Sequence, residues 1–276
     1  MQACFSCWTC GAECPVNVTN RLNPTKLVRM AALGFLDELL ASPEIWYCLA
    51  CNRCSNVCPM TVKPAALIAY LQGESIRRGV ASPETVEGVQ QLQTAFQRVR
   101  LHTVSACLKG EKTTAFAFNW DHLAEQEPPT DSSPVIDLEM ITGRKAFRKA
   151  TDDFYGMGTH IKRCYTCYQC SNACPVSLEQ TVFSPLSIFR LADMGMGKSV
   201  LTQPSLWLCI QCQSCTRACC EGVNGHIVIK SLRHMALAEG YVSVTSLRQW
   251  EDVQKDLYDA YLDRIDVVLA QNIRQA

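Results

Sequence analysis

Residues 4–15 read CFSCWTCGAECP, and this cysteine motif recurs three more times in the chain with small changes. The later copies are CLACNRCSNVCP at 48–59, CYTCYQCSNACP at 164–175 and CIQCQSCTRACC at 209–220. Sixteen of the 18 cysteines therefore lie in four C-x2-C-x2-C-x3-C frames. A spacing that recurs four times in one chain indicates that these thiols act in sets.

Three kinds of chemistry use clustered cysteines: disulfides, zinc sites and iron–sulfur clusters. Disulfide frameworks belong to small secreted domains, whereas this chain has 276 residues and no apolar signal segment behind Met1. We therefore expect a cytoplasmic protein with reduced thiols. Zinc sites usually take two C-x2-C pairs separated by a longer loop, but here a third cysteine follows at once. Thiolates at i, i+3 and i+6 suit three corners of a [4Fe–4S] cubane, so the frames predict such clusters, with zinc as the alternative.

The role of the fourth cysteine of each frame decides which cysteines share a cluster. In two-cluster ferredoxins this cysteine, which is followed by proline, ligates the other cluster. The rule predicts four [4Fe–4S] clusters with these ligand sets: Cys4, Cys7, Cys10 and Cys58; Cys14, Cys48, Cys51 and Cys54; Cys164, Cys167, Cys170 and Cys219; Cys174, Cys209, Cys212 and Cys215. In the fourth frame Cys220 stands where the others have proline. We expect Cys219 to be the ligand and Cys220 to be a buried neighbour or a weak thiol hydrogen-bond donor.

The repeat extends beyond the cysteines. Pro15 recurs as Pro175, 160 residues later, and after one inserted residue the offset is 161, which pairs Trp46 with Trp207. A repeat of this length predicts two domains of one fold. The predicted segments are a first dicluster domain at 1–81, a helical or linker connection at 82–159, a second dicluster domain at 160–242 and a C-terminal helical extension at 243–276.

The sequence between the frames predicts helices. Asn23 and Pro24 form a typical helix start, and apolar residues follow at helical spacing from Val28 to Leu39. Strand alternation is nearly absent. The predicted fold class is therefore mainly α, with two tandem α-helical ferredoxin-like domains that each hold two [4Fe–4S] clusters.

A second helix start precedes the second frame. Ser42 and Pro43 begin a helix that leads to Cys48, and QPSLWLC repeats this start before the fourth frame. The helix should therefore deliver the first cysteine of the frame to a cluster.

The first two frames, with NPTKLVRMAALGFLDELLASPEIWYC between them, resemble the C-type subunit of heterodisulfide reductase over roughly residues 4–80. Residues 164–241 are similar to the same family more loosely, with SPLSIFRLADMGMGKSVLTQPSLWLC in that place. The resemblance implies an α-helical ferredoxin with two [4Fe–4S] clusters per copy. It also implies a protein that does no chemistry on substrate and passes electrons between a flavin-bearing A-type subunit and a B-type subunit with the disulfide-reducing centre. Two fused copies depart from the usual single copy.

We therefore expect an electron-transfer subunit of a multi-subunit oxidoreductase. The alternatives are a peripheral electron wire of a membrane quinone-linked complex and an iron–sulfur protein whose metals are structural or sense redox state. No G-x-G-x-x-G follows a strand, so no flavin or nicotinamide site is expected. The 26 basic and 26 acidic residues give no support for nucleic acid binding. No apolar run reaches the length of a bilayer span, so membrane insertion is not expected.

Four cations lie inside or beside the frames: Arg53, Lys162, Arg163 and Arg217. A cation near a cluster stabilises the more negative reduced state and raises its potential. The alternative is that these side chains are exposed and have small effects. Cys107 lies outside the frames and is predicted to be a buried structural thiol.

Two further helices are predicted outside the frames. SPETVEGVQQLQTAFQRVRLH at 82–102 has an apolar face that should pack against its own domain. The C-terminal SLRQWEDVQKDLYDAYLDRIDVVL is also amphipathic, and we expect it to cap the second domain or to contact a partner. The segment EQEPPTDSSP at 125–134 is predicted to be a loop or linker.

Overall fold

The computed structural model describes residues 4–111, 119–129 and 138–272. This part of the chain is mainly α-helical, which confirms the predicted fold class at that level. Its one described pair of strands is an antiparallel hairpin of β1 Asp153–Phe154 and β2 Met157–Gly158. The chain forms two compact units: unit 1 contains Met1–Phe96 and Gln254–Ala276, and unit 2 contains Gln97–Val253.

Unit 1 is built from short helices around the first two frames. In chain order they are α1 Thr9–Ala12, α2 Pro24–Ala32, α3 Leu36–Ala41, α4 Arg53–Asn56, α5 Pro64–Arg77 and the first part of α6 Pro83–Leu108, with 3-10 helices at Pro15–Thr19 and Pro43–Tyr47. The side chain of Asn23 accepts hydrogen bonds from the first backbone amides of α2, and Ser42 caps the second 3-10 helix. Both predicted helix starts are therefore confirmed.

The helix predicted from Val28 to Leu39 is broken in two. Gly34 has φ 90°, in the left-handed region, and the Phe35 amide closes the end of α2 on the Met30 carbonyl. Glycine adopts this conformation without steric cost and commonly ends helices. Phe35 is consequently exposed rather than part of the buried face.

Unit 2 uses a similar succession of elements. They are the rest of α6, α7 Trp120–Glu125, α8 Leu138–Asp152, α9 Gln169–Asn172, α10 Pro185–Asp193, α11 Gly197–Leu201, α12 Ser214–Arg217, α13 Gly225–Ala238 and the first part of α14 Val244–Asn272, with 3-10 helices at Ile161–Arg163 and Pro204–Leu208. Ser184 caps α10, and Gly195 with φ 73° separates α10 from α11 as Gly34 separates α2 from α3.

The C-terminal helix α14 differs from its expected role as a cap on the second domain. From Gln254 onward it belongs to unit 1. There Asp266 accepts a hydrogen bond of 2.5 Å from the Tyr47 hydroxyl and pairs with Arg21. Only the beginning of α14, which includes Trp250, belongs to unit 2, so a cap on the second domain is wrong for most of this helix. Contact with a partner stays a prediction.

On the predicted apolar face of α6, Val89, Phe96 and Val99 are buried. Within unit 1, Phe96 stacks on Tyr261 with ring centroids 4.5 Å apart. Cys107, near the end of α6, is also fully buried, as predicted. Residues 130–134 of the predicted linker lie outside the described residues.

Candidate iron–sulfur sites

The four cysteine frames share one local backbone shape. The residues on either side of the second cysteine are left-handed in every frame: Ser6 and Trp8, Ala50 and Asn52, Thr166 and Tyr168, Gln211 and Gln213, with φ between 52° and 67°. Residues other than glycine adopt this region rarely, and such strain concentrates at functional sites. The third cysteine of each frame then enters one of the four-residue helices α1, α4, α9 and α12. This repeated turn brings the thiols of each frame to one side of the chain.

Four cavities are lined by the four predicted ligand sets. We name them the outer site of unit 1 (Cys4, Cys7, Cys10 and Cys58), the inner site of unit 1 (Cys14, Cys48, Cys51 and Cys54), the outer site of unit 2 (Cys164, Cys167, Cys170 and Cys219) and the inner site of unit 2 (Cys174, Cys209, Cys212 and Cys215). The structure thus brings together every predicted set, including the crossing fourth cysteines. Their role as ligands stays a prediction.

The remaining walls of the cavities are largely apolar. Leu186, Phe189 and Val223 line the outer site of unit 2, and Leu22 and Ile68 line the inner site of unit 1. Thiolates in apolar surroundings are the donors that iron–sulfur clusters take. Among the described residues, no three Cys, His, Asp or Glu side chains are placed to share a single metal ion. A cubane does not require this, because four thiolates ligate its four separate irons. The thiol sets therefore fit the group.

The fourth cysteines of the two outer sites are held in the same way. Cys58 accepts a hydrogen bond from the Val62 amide at 3.4 Å, and Cys219 accepts one from the Val223 amide at 3.3 Å. This common contact places Cys219 in the position that Cys58 has in unit 1.

Cys220 lies elsewhere. It is exposed, it is absent from the described lining of the outer site of unit 2, and its Sγ lies 3.1 Å from the Tyr165 hydroxyl. The prediction of a buried neighbour is wrong for this thiol, because Cys220 is exposed. A weak thiol hydrogen bond to the cluster stays a prediction.

The outer and inner sites differ in their exposure. The residues between the cysteines of the outer frames include exposed aromatic side chains, with Trp8 60% and Tyr165 59% exposed. At the inner site of unit 1, Leu49 takes such a position and is buried. Burial raises the pKa of the Cys48 thiol to about 12 and that of Cys174 to about 12. Buried thiols of this kind are protonated until a metal displaces the proton.

The outer and inner sites within one unit adjoin each other. In unit 1, Cys10 of the outer site and Cys54 of the inner site form one buried cluster with Ala65. In unit 2, Cys215 of the inner site also lines the outer cavity. Groups bound at the two sites of a unit would therefore be close neighbours.

The cations predicted to act on the clusters are mostly exposed. Lys162, Arg163 and Arg217 lie at the surface. Arg53 is partly buried, but its Nε donates to Glu13 Oε2 at 2.8 Å, so a carboxylate balances its charge.

A further cation, Arg233 in α13, was not predicted from the sequence. Arg233 is partly buried and donates to the backbone carbonyls of Leu206 and Cys209. The signal was present in the sequence, because Arg233 lies four residues after Ile229 on the apolar face of α13. An arginine on the buried face of a helix needs a structural or electrostatic reason.

Comparisons with known proteins agree with these sites. Residues 3–63 and residues 158–223 each match a family model described as a 4Fe-4S dicluster domain. The chain therefore carries two iron–sulfur dicluster domains. No solved structure matches the chain. Within the described residues, no helix is both long and apolar enough to cross a membrane.

Several relatives are subunits of heterodisulfide reductases. The chain is 29% identical to the C-type subunit of the H2:CoB-CoM heterodisulfide, ferredoxin reductase of Methanothermobacter thermautotrophicus. This match extends over 83 residues, which make up 30% of this chain and 45% of the relative. It is also 35% identical to a C-type iron-sulfur subunit of the CoB–CoM heterodisulfide reductase of Methanocaldococcus jannaschii. That match extends over 79 residues, which make up 29% of this chain and 42% of the relative. The chain thus spans less than half the length of these relatives.

A longer match is to a protein of Archaeoglobus profundus that is named for its likeness to the C-type subunit of heterodisulfide reductase. The identity is 32% over 144 residues, which cover 51% of this chain and 71% of the relative. With its two dicluster domains and this match, the chain belongs to the family of heterodisulfide reductase C-type subunits.

Proposed function

We propose that the chain is an electron-transfer subunit with four [4Fe–4S] clusters, two in each unit. In this proposal it relays electrons, in the cytoplasm, between a flavin-bearing A-type subunit and a B-type subunit that reduces a disulfide. The observation that carries the proposal is that each predicted set of four thiols lines one cavity. The names of the relatives, which are subunits of heterodisulfide and ferredoxin reductases, support a place in a redox complex of several subunits.

The residues of the chain have four tasks in such a relay. When bound, a [4Fe–4S] cluster accepts and gives up one electron. The left-handed turns hold the thiols around each site, and residues such as Leu49 keep water from the inner sites. The exposed aromatic residues beside the outer sites, Trp8 and Tyr165, leave room for a redox partner to approach. The adjoining thiols Cys10 and Cys54 favour transfer within a unit.

The proposed domains are the two copies at 1–81 and 160–242. The equivalent caps at Asn23 and Ser184 and the equivalent glycines Gly34 and Gly195 support a duplication. The segments 82–159 and 243–276 then serve as connection and extension.

Metal analysis and reduction test the proposal together. Protein purified without oxygen should contain about 16 iron and 16 acid-labile sulfide ions per chain, with little zinc. It should be reduced by a strong artificial donor and reoxidised by its B-type partner, while the isolated chain reduces no disulfide or quinone at a useful rate. A content of about eight iron would contradict four clusters. Reduced protein that no partner subunit reoxidises would favour a sensor or a structural role.

A further inference from the structure

The inner site of unit 1 is supported by two side-chain amides. Gln72 Nε2 donates to the Ile45 carbonyl at 2.8 Å, and Gln93 Nε2 donates to the Cys48 carbonyl at 3.4 Å. These bonds fix the segment that leads into the second cysteine frame. Both donors are neutral.

At the inner site of unit 2 one guanidinium makes both bonds. Arg233 Nε donates to the Leu206 carbonyl at 3.0 Å, and its Nη2 donates to the Cys209 carbonyl at 2.8 Å. By the register of the sequence repeat, these two carbonyls are the counterparts of those in unit 1, and Arg233 is the counterpart of Gln72. The supporting contact is the same in the two units, but unit 2 adds a positive charge.

The surroundings keep this charge close to the site. The Arg233 guanidinium lies over the Trp207 ring, 5.3 Å from its centroid. An arginine remains protonated in proteins, so the charge is permanent. The fully buried Arg100 donates to the Leu208 carbonyl at 3.0 Å and adds a second guanidinium on the same segment.

Two guanidiniums therefore lie along the segment that leads into Cys209, where unit 1 has two neutral side-chain amides.

We propose that Arg233 raises the reduction potential of the cluster held by Cys174, Cys209, Cys212 and Cys215. Reduction adds a negative charge to a cluster, and a fixed cation outside the ligand shell stabilises the reduced state. The inner site of unit 2 is then a better electron acceptor than it would be with the amide found in unit 1. This inference rests on the proposed function, because it requires a cluster at that site.

The test is a redox titration followed by electron paramagnetic resonance on anaerobically purified full-length protein. In Arg233→Gln the side chain of unit 1 replaces that of unit 2 and can keep the bond to the Leu206 carbonyl. One of the four midpoint potentials should fall while the other three stay unchanged. Arg233→Lys keeps the positive charge but loses the planar guanidinium and its paired N–H donors, so the midpoint potentials of this variant should stay close to those of the wild type. Arg248→Gln removes the same charge from an exposed position and should shift none.

The reciprocal variant Gln72→Arg adds the cation to unit 1. It should raise one midpoint potential, a different one from that lowered in Arg233→Gln.

Iron and sulfide content, measured on each sample, separates this inference from the proposed function. Wild-type protein without the full cluster content contradicts both. Full cluster content with unchanged potentials in Arg233→Gln and Gln72→Arg contradicts the role of Arg233 alone. If Arg233→Gln loses iron, the rise in Gln72→Arg decides the question, and its absence overturns the inference.

Discussion

The two units hold their cysteine frames with the same backbone turns but surround them with different side chains. Both pairs of frames have left-handed residues around the second cysteine, and both outer sites hold the fourth thiol by an amide four residues later. Around this common frame, Pro59 is replaced by Cys220, Pro64 by Gly225 and Gln72 by Arg233. The turns are made by backbone atoms, which many sequences supply, so the side chains near the sites are free to diverge. The backbone turns and the amide contact to the fourth thiol are thus common to the two units, whereas the side chains near the sites are specific to each unit.

The largest expected effect lies at the fourth frame, where proline is missing. Cys219→Ala should remove the cluster at the outer site of unit 2, because Cys219 lines that cavity and takes the same amide contact as Cys58. The matched control one residue away, Cys220→Ala, should keep the full iron content, because Cys220 is exposed beside Tyr165. The measurement is iron and sulfide per chain, and the expected loss in Cys219→Ala is up to about four of each.

The opposite result would move the ligand by one residue. If Cys220→Ala loses the cluster and Cys219→Ala keeps four, the two units do not share a ligand register. The correspondence of Cys58 with Cys219 would then fail.

A smaller effect is expected where unit 2 packs a helix start against its thiols. A Cβ on Gly225 would lie 2.6 Å from the Phe189 ring and 2.9 Å from Cys215 Sγ, and Cys215 lines both cavities of unit 2. Gly225→Ala should therefore displace this thiol without removing it, and lower the iron content by fewer than about four per chain.

The matched control for this variant is Gly73→Ala in unit 1. An added methyl at this position in α5 has no described atom within 4 Å. The control should keep its iron and gain up to about 1 kcal/mol of stability, because alanine favours helix over glycine. Equal iron content in the two variants would show that the packing at Gly225 is not required.

Much of the site could be predicted because cluster ligation constrains the spacing of cysteines. The crossing of Cys14 and Cys58 between frames follows from that spacing, and the cavities contain the thiols that it assigns. The caps at Asn23 and Ser42 were also readable, because they depend on local backbone hydrogen bonds.

Features that depend on tertiary contacts could not be read in this way. The apolar spacing through Gly34 is continuous in sequence, and only the left-handed turn divides the helix. The partner of α14 depends on Arg21 and Tyr47, which lie more than 200 residues earlier. The spacing from Ile229 places Arg233 on the apolar face of α13, but its acceptors are backbone carbonyls that no side-chain pattern reveals.

The smallest predicted effect concerns Tyr47, whose counterpart in the repeat is Leu208. Tyr47 is buried and donates to Asp266 at 2.5 Å, and burial and this bond raise its pKa from 10.0 to about 12. Tyr47→Phe should lower the free energy of unfolding by about 1 kcal/mol at pH 8 and the thermal midpoint by about 2–4 °C.

Because the pKa of Tyr47 in the folded protein lies above its unfolded value, the contribution of its hydroxyl to stability is complete below pH 10 and is lost as the pH rises through about 12. Thermal unfolding followed by circular dichroism at pH 8 and at pH 11 should thus show a deficit that shrinks at the higher pH. Tyr70→Phe, at an exposed tyrosine of the same unit, should show no deficit at either pH. A deficit in Tyr47→Phe of equal size at both values would mean that the phenol contributes by packing and not through its proton.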